Sequence, residues 1–140
     1  MQDIIELYRK FDMYKNYSDP ELRLHLFPCL NLDQNRKHYV NDKLVGFTNW
    51  AFLSDKAQAK IKQTGLISKE DWRSGNHLWH IDTVATSHLD EIISWTKNHF
   101  TQKFGINKKI NWLRIKNDKI IRTVTRTTKD HWLWVSSVVL

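Results

Sequence analysis

The chain has 140 residues, of which 41% are hydrophobic and 26% are charged. This composition excludes intrinsic disorder, because enough apolar residues are present to form a core, and no apolar run is long enough to span a bilayer. We expect one compact domain over residues 1–140, since a chain of this length forms a single core.

The formal net charge of +7 at pH 7 predicts an acidic partner. Nucleic acid, an anionic membrane surface or an acidic protein would each satisfy it, and charge alone does not choose among them. Because the lysines and arginines are spread along the chain, a solvated basic surface is the alternative, and nucleic-acid binding is not favoured because charge is its main support. The single cysteine, Cys29, cannot form an internal disulfide and is expected in the core. The first residues lack the apolar stretch of a secretory signal, so a cytoplasmic protein without a membrane span is expected.

In the first part of the chain, apolar residues recur every three or four positions and predict an amphipathic helix over the first dozen residues. Leucines then alternate with polar residues over 22–26, which predicts a half-buried strand whose central pairing Pro28 would limit. A hairpin is predicted over residues 38–53, with its turn at Asn41-Asp42.

Capping residues mark the later elements. Ser54 is a good N-cap for a short helix that Gly65 ends, and a loop helix is expected around residues 68–71. A helix that opens at Ser87 is closed by Gly105. Strands are predicted over residues 78–85, 110–116, 119–126 and 132–139. Helices interleaved with strands predict an α/β (α+β) fold, a mixed sheet flanked by helices.

Asp82 is the residue of the strand 78–85 that needs an explanation, because strands disfavour aspartate. Such a carboxylate has either hydrogen-bond donors from the backbone or a functional task. His77, His80 and Asp82 resemble a set of metal ligands, but in a strand His80 and Asp82 would share one face while His77 points elsewhere. We therefore expect no metal.

Nucleotide chemistry is not expected either. The four glycines are too far apart for a phosphate-binding loop, and the common hydrolase signatures are missing. No bound cofactor is predicted. The seven tryptophans could stack on single-stranded nucleic acid, but core packing is the stronger interpretation.

Three ordered blocks carry a specific likeness. W-A-F-L-S at residues 50–54, E-D-W-R-S-G at 70–75 and W-H-I-D-T-V-A at 79–85 resemble the blocks W-A-x-L-S, E-D-W-x-S-G and W-x-I-D-x-x-A of the RTX toxin-activating lysine acyltransferases. The likeness extends more weakly to Pro28 and to residues 113–115.

This resemblance implies a fold similar to the GNAT acetyltransferases, a cytoplasmic location and a homodimer. Enzymes of the family move a fatty acyl group from acyl carrier protein to internal lysines of a protoxin. The donor implied for this chain is therefore acyl-ACP, a phosphopantetheine thioester, and the partners are acyl carrier protein and a protein that carries the target lysine. Acyl carrier protein is acidic and would be attracted to a basic surface.

The catalytic pair of the family is a histidine and the aspartate of the W-x-I-D block. Asp82 matches the aspartate, whereas Tyr14 stands at the position of the histidine. Three alternatives remain: Tyr14 acts as a general acid with Asp82, another histidine such as His25 or His38 has replaced the missing one, or transfer activity is lost. In the last case the chain would be a binding protein for an acidic partner or nucleic acid.

Four further residues are predicted to bind the acyl donor or substrate: Arg114, Trp50, Trp79 and Ser74. Core packing is the alternative role for the two tryptophans. A local turn is the alternative for Ser74, and a solvent-facing position is the alternative for Arg114.

Overall fold

A five-stranded mixed sheet, ordered β1-β2-β3-β4-β5, forms the centre of the molecule. The structure is a computed structural model and describes residues 1–117 and 119–129. The strands are β1 (Asn35–Val40), β2 (Lys43–Leu53), β3 (His77–Ala85), β4 (Lys109–Lys116) and β5 (Lys119–Thr127). Neighbouring strands are antiparallel except for β3 and β4, which are parallel. The predicted α/β fold is confirmed.

Helices cover both faces of this sheet. They are α1 (Gln2–Tyr8), α2 (Asp19–Asn31), α3 (Asp55–Thr64) and α4 (Leu89–Phe104), with a short 3-10 helix at Lys69–Asp71. The helices α1, α2 and α3 bury apolar residues with Phe47 and Trp79 on one face. On the other face Phe100 of α4 packs with Trp50 and Leu78. No helix in residues 1–117 and 119–129 is long and apolar enough to cross a membrane.

The strand predicted over residues 22–26 is wrong, because these residues belong to the helix α2. The Ser18 side chain accepts a hydrogen bond from the main chain of Glu21, whose carboxylate accepts one from the main chain of Ser18. This capping box fixes the helix start. Leu22 and Leu26, one helical turn apart, are buried, whereas Leu24 is exposed, so the alternation with polar residues did not reflect a strand.

The other elements follow their local signals. The hairpin turn lies at Asn41-Asp42, both with positive φ, although β1 begins at Asn35, earlier than predicted. The helix α3 is capped by Ser54 and ends at Gly65 in the left-handed conformation. The helix α4 ends at Gly105, but its N-cap is His88 rather than Ser87. The helix α1 ends at Tyr8, earlier than predicted, and the strand predicted over 132–139 lies outside the described residues.

The strand β3 has two irregularities, a bulge in its pairing with β2 and a short ladder with β4. Its register with β2 shifts where Asn49 pairs with Asp82 and Trp50 pairs with His80, so Ile81 is an extra residue. Such a bulge interrupts the strict alternation of side chains. In addition, the ladder between β3 and β4 has only two residue pairs, Leu78 with Ile110 and Trp79 with Asn111. Among residues 1–117 and 119–129, the edge of β3 that faces β4 therefore has no paired strand from His80 onward.

Candidate active site

The Asp82 side chain is the centre of a buried hydrogen-bond network. It is 8% exposed, and its Oδ2 accepts hydrogen bonds from the Tyr8 hydroxyl at 2.9 Å and the Asn49 amide at 3.2 Å. His25 Nε2 lies 2.7 Å from the same oxygen. The Tyr14 hydroxyl donates to Oδ1. Three donors thus approach Oδ2 and one approaches Oδ1, so both oxygens of the buried carboxylate are hydrogen-bonded.

Asn49 fixes the position of Asp82 from the neighbouring strand β2. Its Oδ1 accepts a hydrogen bond from the Asp82 main-chain nitrogen at 2.8 Å, while its Nδ2 donates to the carboxylate. Asn49 is fully buried. Because these contacts involve both the main chain and the side chain of Asp82, the carboxylate has one defined position on a rigid sheet.

His25 reaches the carboxylate from the helix α2. An ionised carboxylate only accepts hydrogen bonds, so Nε2 of His25 carries the shared hydrogen, and Nδ1 is the basic nitrogen of the neutral ring. Nδ1 has no hydrogen-bond partner among the described residues. The side chain as a whole is 22% exposed. His25 therefore connects the buried carboxylate with solvent.

Electrostatics make Asp82 and His25 an ion pair. Burial alone would raise the pKa of Asp82, but the charge of His25 and the hydrogen bonds from His25, Tyr14 and Tyr8 lower it to about 2. Burial likewise acts to lower the pKa of His25, and the Asp82 carboxylate outweighs it, so the pKa of His25 is raised above its usual 6.5. Asp82 is thus a very weak base, and His25 is the group that can exchange a proton near neutral pH.

The two tyrosines remain neutral hydrogen-bond donors. Burial, followed by the charge of Asp82, raises the pKa of both Tyr8 and Tyr14 well above 10. Their rings lie 4.9 Å apart between centroids, and the Tyr14 ring lies 6.0 Å from that of His25. The predicted pair of Tyr14 and Asp82 is thus in direct contact, with the phenolic hydrogen directed to the carboxylate.

The block E-D-W-R-S-G supports the network indirectly. The buried Trp72 ring meets the His25 ring edge-on, with centroids 5.6 Å apart. Ser74 Oγ donates to the Asp71 carbonyl and accepts from the Ser54 main chain, so this hydroxyl holds a loop rather than facing Asp82. A Cβ at Gly75 would lie 2.5 Å from the Ser54 Cα. Only glycine allows this close approach to the end of β2.

The other predicted binding residues are separate from the carboxylate. Trp50 packs against Phe100 on the α4 face of the sheet. Trp79 is fully buried on the opposite face, where its Nε1 donates to Gln58 Oε1 at 2.9 Å. Arg114 lies two residues after Trp112 and four after Ile110 in β4. Residues at this spacing share one face of a strand, so Arg114 is on the α4 face.

The expectation that His80 and Asp82 share one face is wrong. The bulge at Ile81 turns the Asp82 side chain toward α1 and α2, whereas the His80 ring contacts Phe100 of α4. Burial lowers the pKa of His80 to about 4. His38, the second histidine considered as a replacement, bonds to Thr48 Oγ1 instead. Of the two alternatives, only His25 contacts Asp82.

Sequence reasoning missed Tyr8 and Asn49 as members of this network. Tyr8 appeared as part of the apolar face of the first helix, and its hydroxyl was the overlooked signal. Asn49 interrupts the apolar run F-T-N-W-A of β2, as Asp82 interrupts β3. An amide in a strand that is buried on both faces needs partners as much as a carboxylate does.

A buried carboxylate that orients a partly exposed imidazole is an arrangement typical of general base catalysis in acyl transfer. Comparison with known proteins agrees with this class. The sequence model of the RTX toxin acyltransferase family matches residues 1–128. The chain therefore belongs to the RTX toxin acyltransferase family.

The sequences of individual relatives are less than 30% identical to this chain. The chain is 26% identical over 80 residues to the RTX-II toxin-activating lysine-acyltransferase ApxIIC of Actinobacillus pleuropneumoniae, which covers 56% of this chain and 50% of the relative. It is 29% identical over 84 residues to the leukotoxin-activating lysine-acyltransferase LktC of a Pasteurella haemolytica-like species, covering 59% and 51%. An uncharacterized protein of Synechocystis is 27% identical over 107 residues, covering 72% and 70%. The chain thus spans about half the length of the two acyltransferases.

Proposed function

We propose that this protein is a lysine acyltransferase that moves a fatty acyl group from acyl carrier protein to a lysine side chain of another protein. The observation that carries the proposal is the contact between His25 and Asp82. It supplies a histidine to the aspartate of the W-x-I-D block, although Tyr14 stands at the position of the family histidine. The membership in the family and the names of the two acyltransferase relatives support the same reaction.

In the proposed reaction the neutral form of His25, in which Nε2–H still donates to Asp82, is the general base. Its Nδ1 accepts a proton from the lysine amine as the nitrogen attacks the thioester carbonyl carbon. The new C–N bond forms, the C–S bond breaks, and the imidazolium returns the proton to the departing thiolate. Asp82 stabilises the imidazolium and holds the ring, as a triad aspartate does. Tyr14 and Tyr8 are positioning residues that keep Asp82 ionised.

Two features support a thioester donor carried by acyl carrier protein, namely the short ladder between β3 and β4 and the net charge. The ladder between β3 and β4 ends at Trp79, so within the part of the chain that the structure describes, residues 80–85 of β3, which include Asp82, have no strand partner on that side. The net charge of +7 would attract acyl carrier protein. The homodimer that the family resemblance implies stays a prediction, as does a cytoplasmic location.

The test is a transfer assay read by intact mass. The protein is incubated with acylated carrier proteins of several chain lengths and with lysine-containing peptides. We expect acyl-sized mass increases on a peptide or on the protein itself. Replacing His25 with Gln, or Asp82 with Asn, should lower the transfer rate by about 10² to 10⁴-fold, because general base catalysis contributes that much.

His38→Gln is the matched control, because His38 contacts Thr48 rather than Asp82. This variant should retain the transfer rate. If no acyl group moves from any carrier protein, the chain is a binding protein instead of an enzyme. If His25→Gln transfers as fast as the unsubstituted protein, His25 is not the base.

A further inference from the structure

A cavity of about 480 Å³ lies at the end of β3 that is remote from Asp82. It is open to solvent and is lined by α3, the starts of β3 and β4, and Thr125 of β5. His77 borders the cavity, and Asp82 follows five residues later, which corresponds to about 16 Å along an extended strand. The buried Trp79 lies between them. The cavity is therefore separate from the carboxylate network and from the start of α4.

The lining of this cavity is strongly basic. It contains Lys62, Lys108 and Lys109, and no carboxylate belongs to the lining among the described residues. The side-chain ammonium groups of Lys62 and Lys109 make no hydrogen bond or ion pair within residues 1–117 and 119–129. The neighbouring Asp55 bonds to His77 at 2.6 Å rather than to a lysine. Two ammonium groups thus remain without an opposite charge.

Three oxygen acceptors of the neutral lining residues already accept a hydrogen bond within the protein. The Asn76 carbonyl accepts a hydrogen bond from Lys108 Nζ, and the Leu78 carbonyl accepts one from Asn111 Nδ2. Asn111 Oδ1 accepts a further hydrogen bond from the Thr125 hydroxyl.

Gln58 adds a free donor in a defined orientation. The Trp79 indole nitrogen is a donor only, so the atom that it contacts on Gln58 is the amide oxygen. The Gln58 Nε2 group, which has no partner among the described residues, is therefore available to an acceptor. Together with Lys62 of the same helix and Lys109 of β4, it forms a set of donors from two elements.

We propose that this cavity binds a small molecule that carries a phosphate or pyrophosphate group. A phosphate has two charges near neutral pH and several acceptor oxygens, and lysine binds it as a point charge. The volume exceeds what inorganic phosphate requires, so an organic phosphate ester is the expected ligand. This assignment is independent of the acyl transfer reaction, because no lining residue contacts Asp82.

The experiment is an NMR titration of the labelled full chain with inorganic phosphate, pyrophosphate and phenyl phosphate, each against chloride at constant ionic strength. We expect saturable shifts of the main-chain amides at residues 76–78 and 107–109. The double variant Lys62→Gln/Lys109→Gln should bind at least 10-fold more weakly. Saturation at a lower concentration of phenyl phosphate than of inorganic phosphate would identify an organic ester as the ligand type, and the reverse order would identify a free phosphate.

The matched control is Lys43→Gln/Lys69→Gln, which removes the same charge from two exposed lysines outside the cavity. It should bind like the unsubstituted protein. The proposal is overturned if none of the three anions produces a saturable shift at constant ionic strength. Equal weakening in both double variants would also overturn it, because the effect would then come from net charge alone.

Discussion

The carboxylate of Asp82 receives hydrogen bonds from four side chains, and these donors do not contribute equally. His25 is the donor that brings a compensating positive charge. Tyr8, Tyr14 and Asn49 provide neutral donors that replace water around a buried anion. Loss of a neutral donor leaves the ion pair in place, whereas loss of His25 leaves a buried charge without compensation. Substitutions at single residues can separate these contributions.

Tyr14→Phe tests whether Tyr14 positions Asp82 or donates a proton in the reaction. The variant removes one donor from the buried carboxylate and should destabilise the protein by about 1–3 kcal/mol, measured by urea unfolding. As a positioning residue, its loss should lower the transfer rate only modestly. A fall of about 10² to 10⁴-fold would instead identify Tyr14 as the general acid.

Tyr17→Phe is the control for this substitution. Its ring packs against that of Tyr14, but its hydroxyl is not bonded to Asp82, and the side chain is exposed. Stability and transfer rate should therefore stay unchanged. An equal loss of stability in both variants would show that the hydrogen bond of Tyr14 to Asp82 contributes nothing.

Among the secondary-structure elements, α2 positions His25 beside Asp82 of the strand β3. Its start is fixed by the capping box of Ser18 and Glu21, and its buried residues Leu22 and Leu26 hold it against the core. The other partner, Asp82, reaches the same face because of the bulge in β3. The pair therefore depends on a local capping motif and on a local irregularity in a strand.

Ser18→Ala tests the capping motif. Because the variant loses the hydrogen bond between Ser18 Oγ and the Glu21 main chain, the free energy of unfolding should decrease by about 1 kcal/mol. Urea unfolding measures the change. Ser94→Ala, within α4, is the comparison and should be neutral or slightly stabilising, since alanine has the higher helix propensity. If both variants unfold alike, the capping box does not stabilise α2.

For the whole molecule, the ion pair links stability to pH. The native state raises the pKa of His25, so it binds a proton more tightly than the unfolded chain does. The resulting stabilisation is complete below pH 6.5 and is lost as the pH rises through the raised pKa. The contribution of Asp82 to stability changes with pH in the opposite direction. Its pKa of about 2 in the native state means that its stabilisation is present above pH 3.8 and is lost as the pH falls toward 2.

The prediction compares the free energy of unfolding of the unsubstituted protein with that of His25→Gln, because His38 and His80 titrate in both proteins and their contributions cancel in the difference. Their pKa values of about 4 reduce stability as the pH falls from 6.5. We expect the free energy of unfolding of the unsubstituted protein, minus that of His25→Gln, to decrease as the pH rises from 6 to 9. For one proton the slope is at most about 1.4 kcal/mol per pH unit. A difference that does not change with pH would contradict the ion pair.

Much of the fold was predictable from the sequence because its signals are local. Ser54 and Gly65 mark the ends of α3, and Asn41-Asp42 marks the hairpin turn, since each depends on backbone preferences of a few adjacent residues. The strand predicted over residues 22–26 failed because its alternating leucines also fit a helix. Which face becomes buried is decided by the rest of the molecule.

The candidate site, like the fold, was predictable from the sequence only in part. The sequence by itself determined that Asp82 needs an explanation, and the resemblance placed Tyr14 at the position of the family histidine. The choice among Tyr14 as a general acid, a replacement histidine such as His25 or His38, and a lost activity stayed open. Tertiary structure decided which histidine contacts the carboxylate, because His25 and Asp82 are 57 residues apart and Tyr8 and Asp82 are 74 apart. Contacts over such separations depend on how α1, α2 and the bulged β3 pack together, and no local pattern encodes that packing.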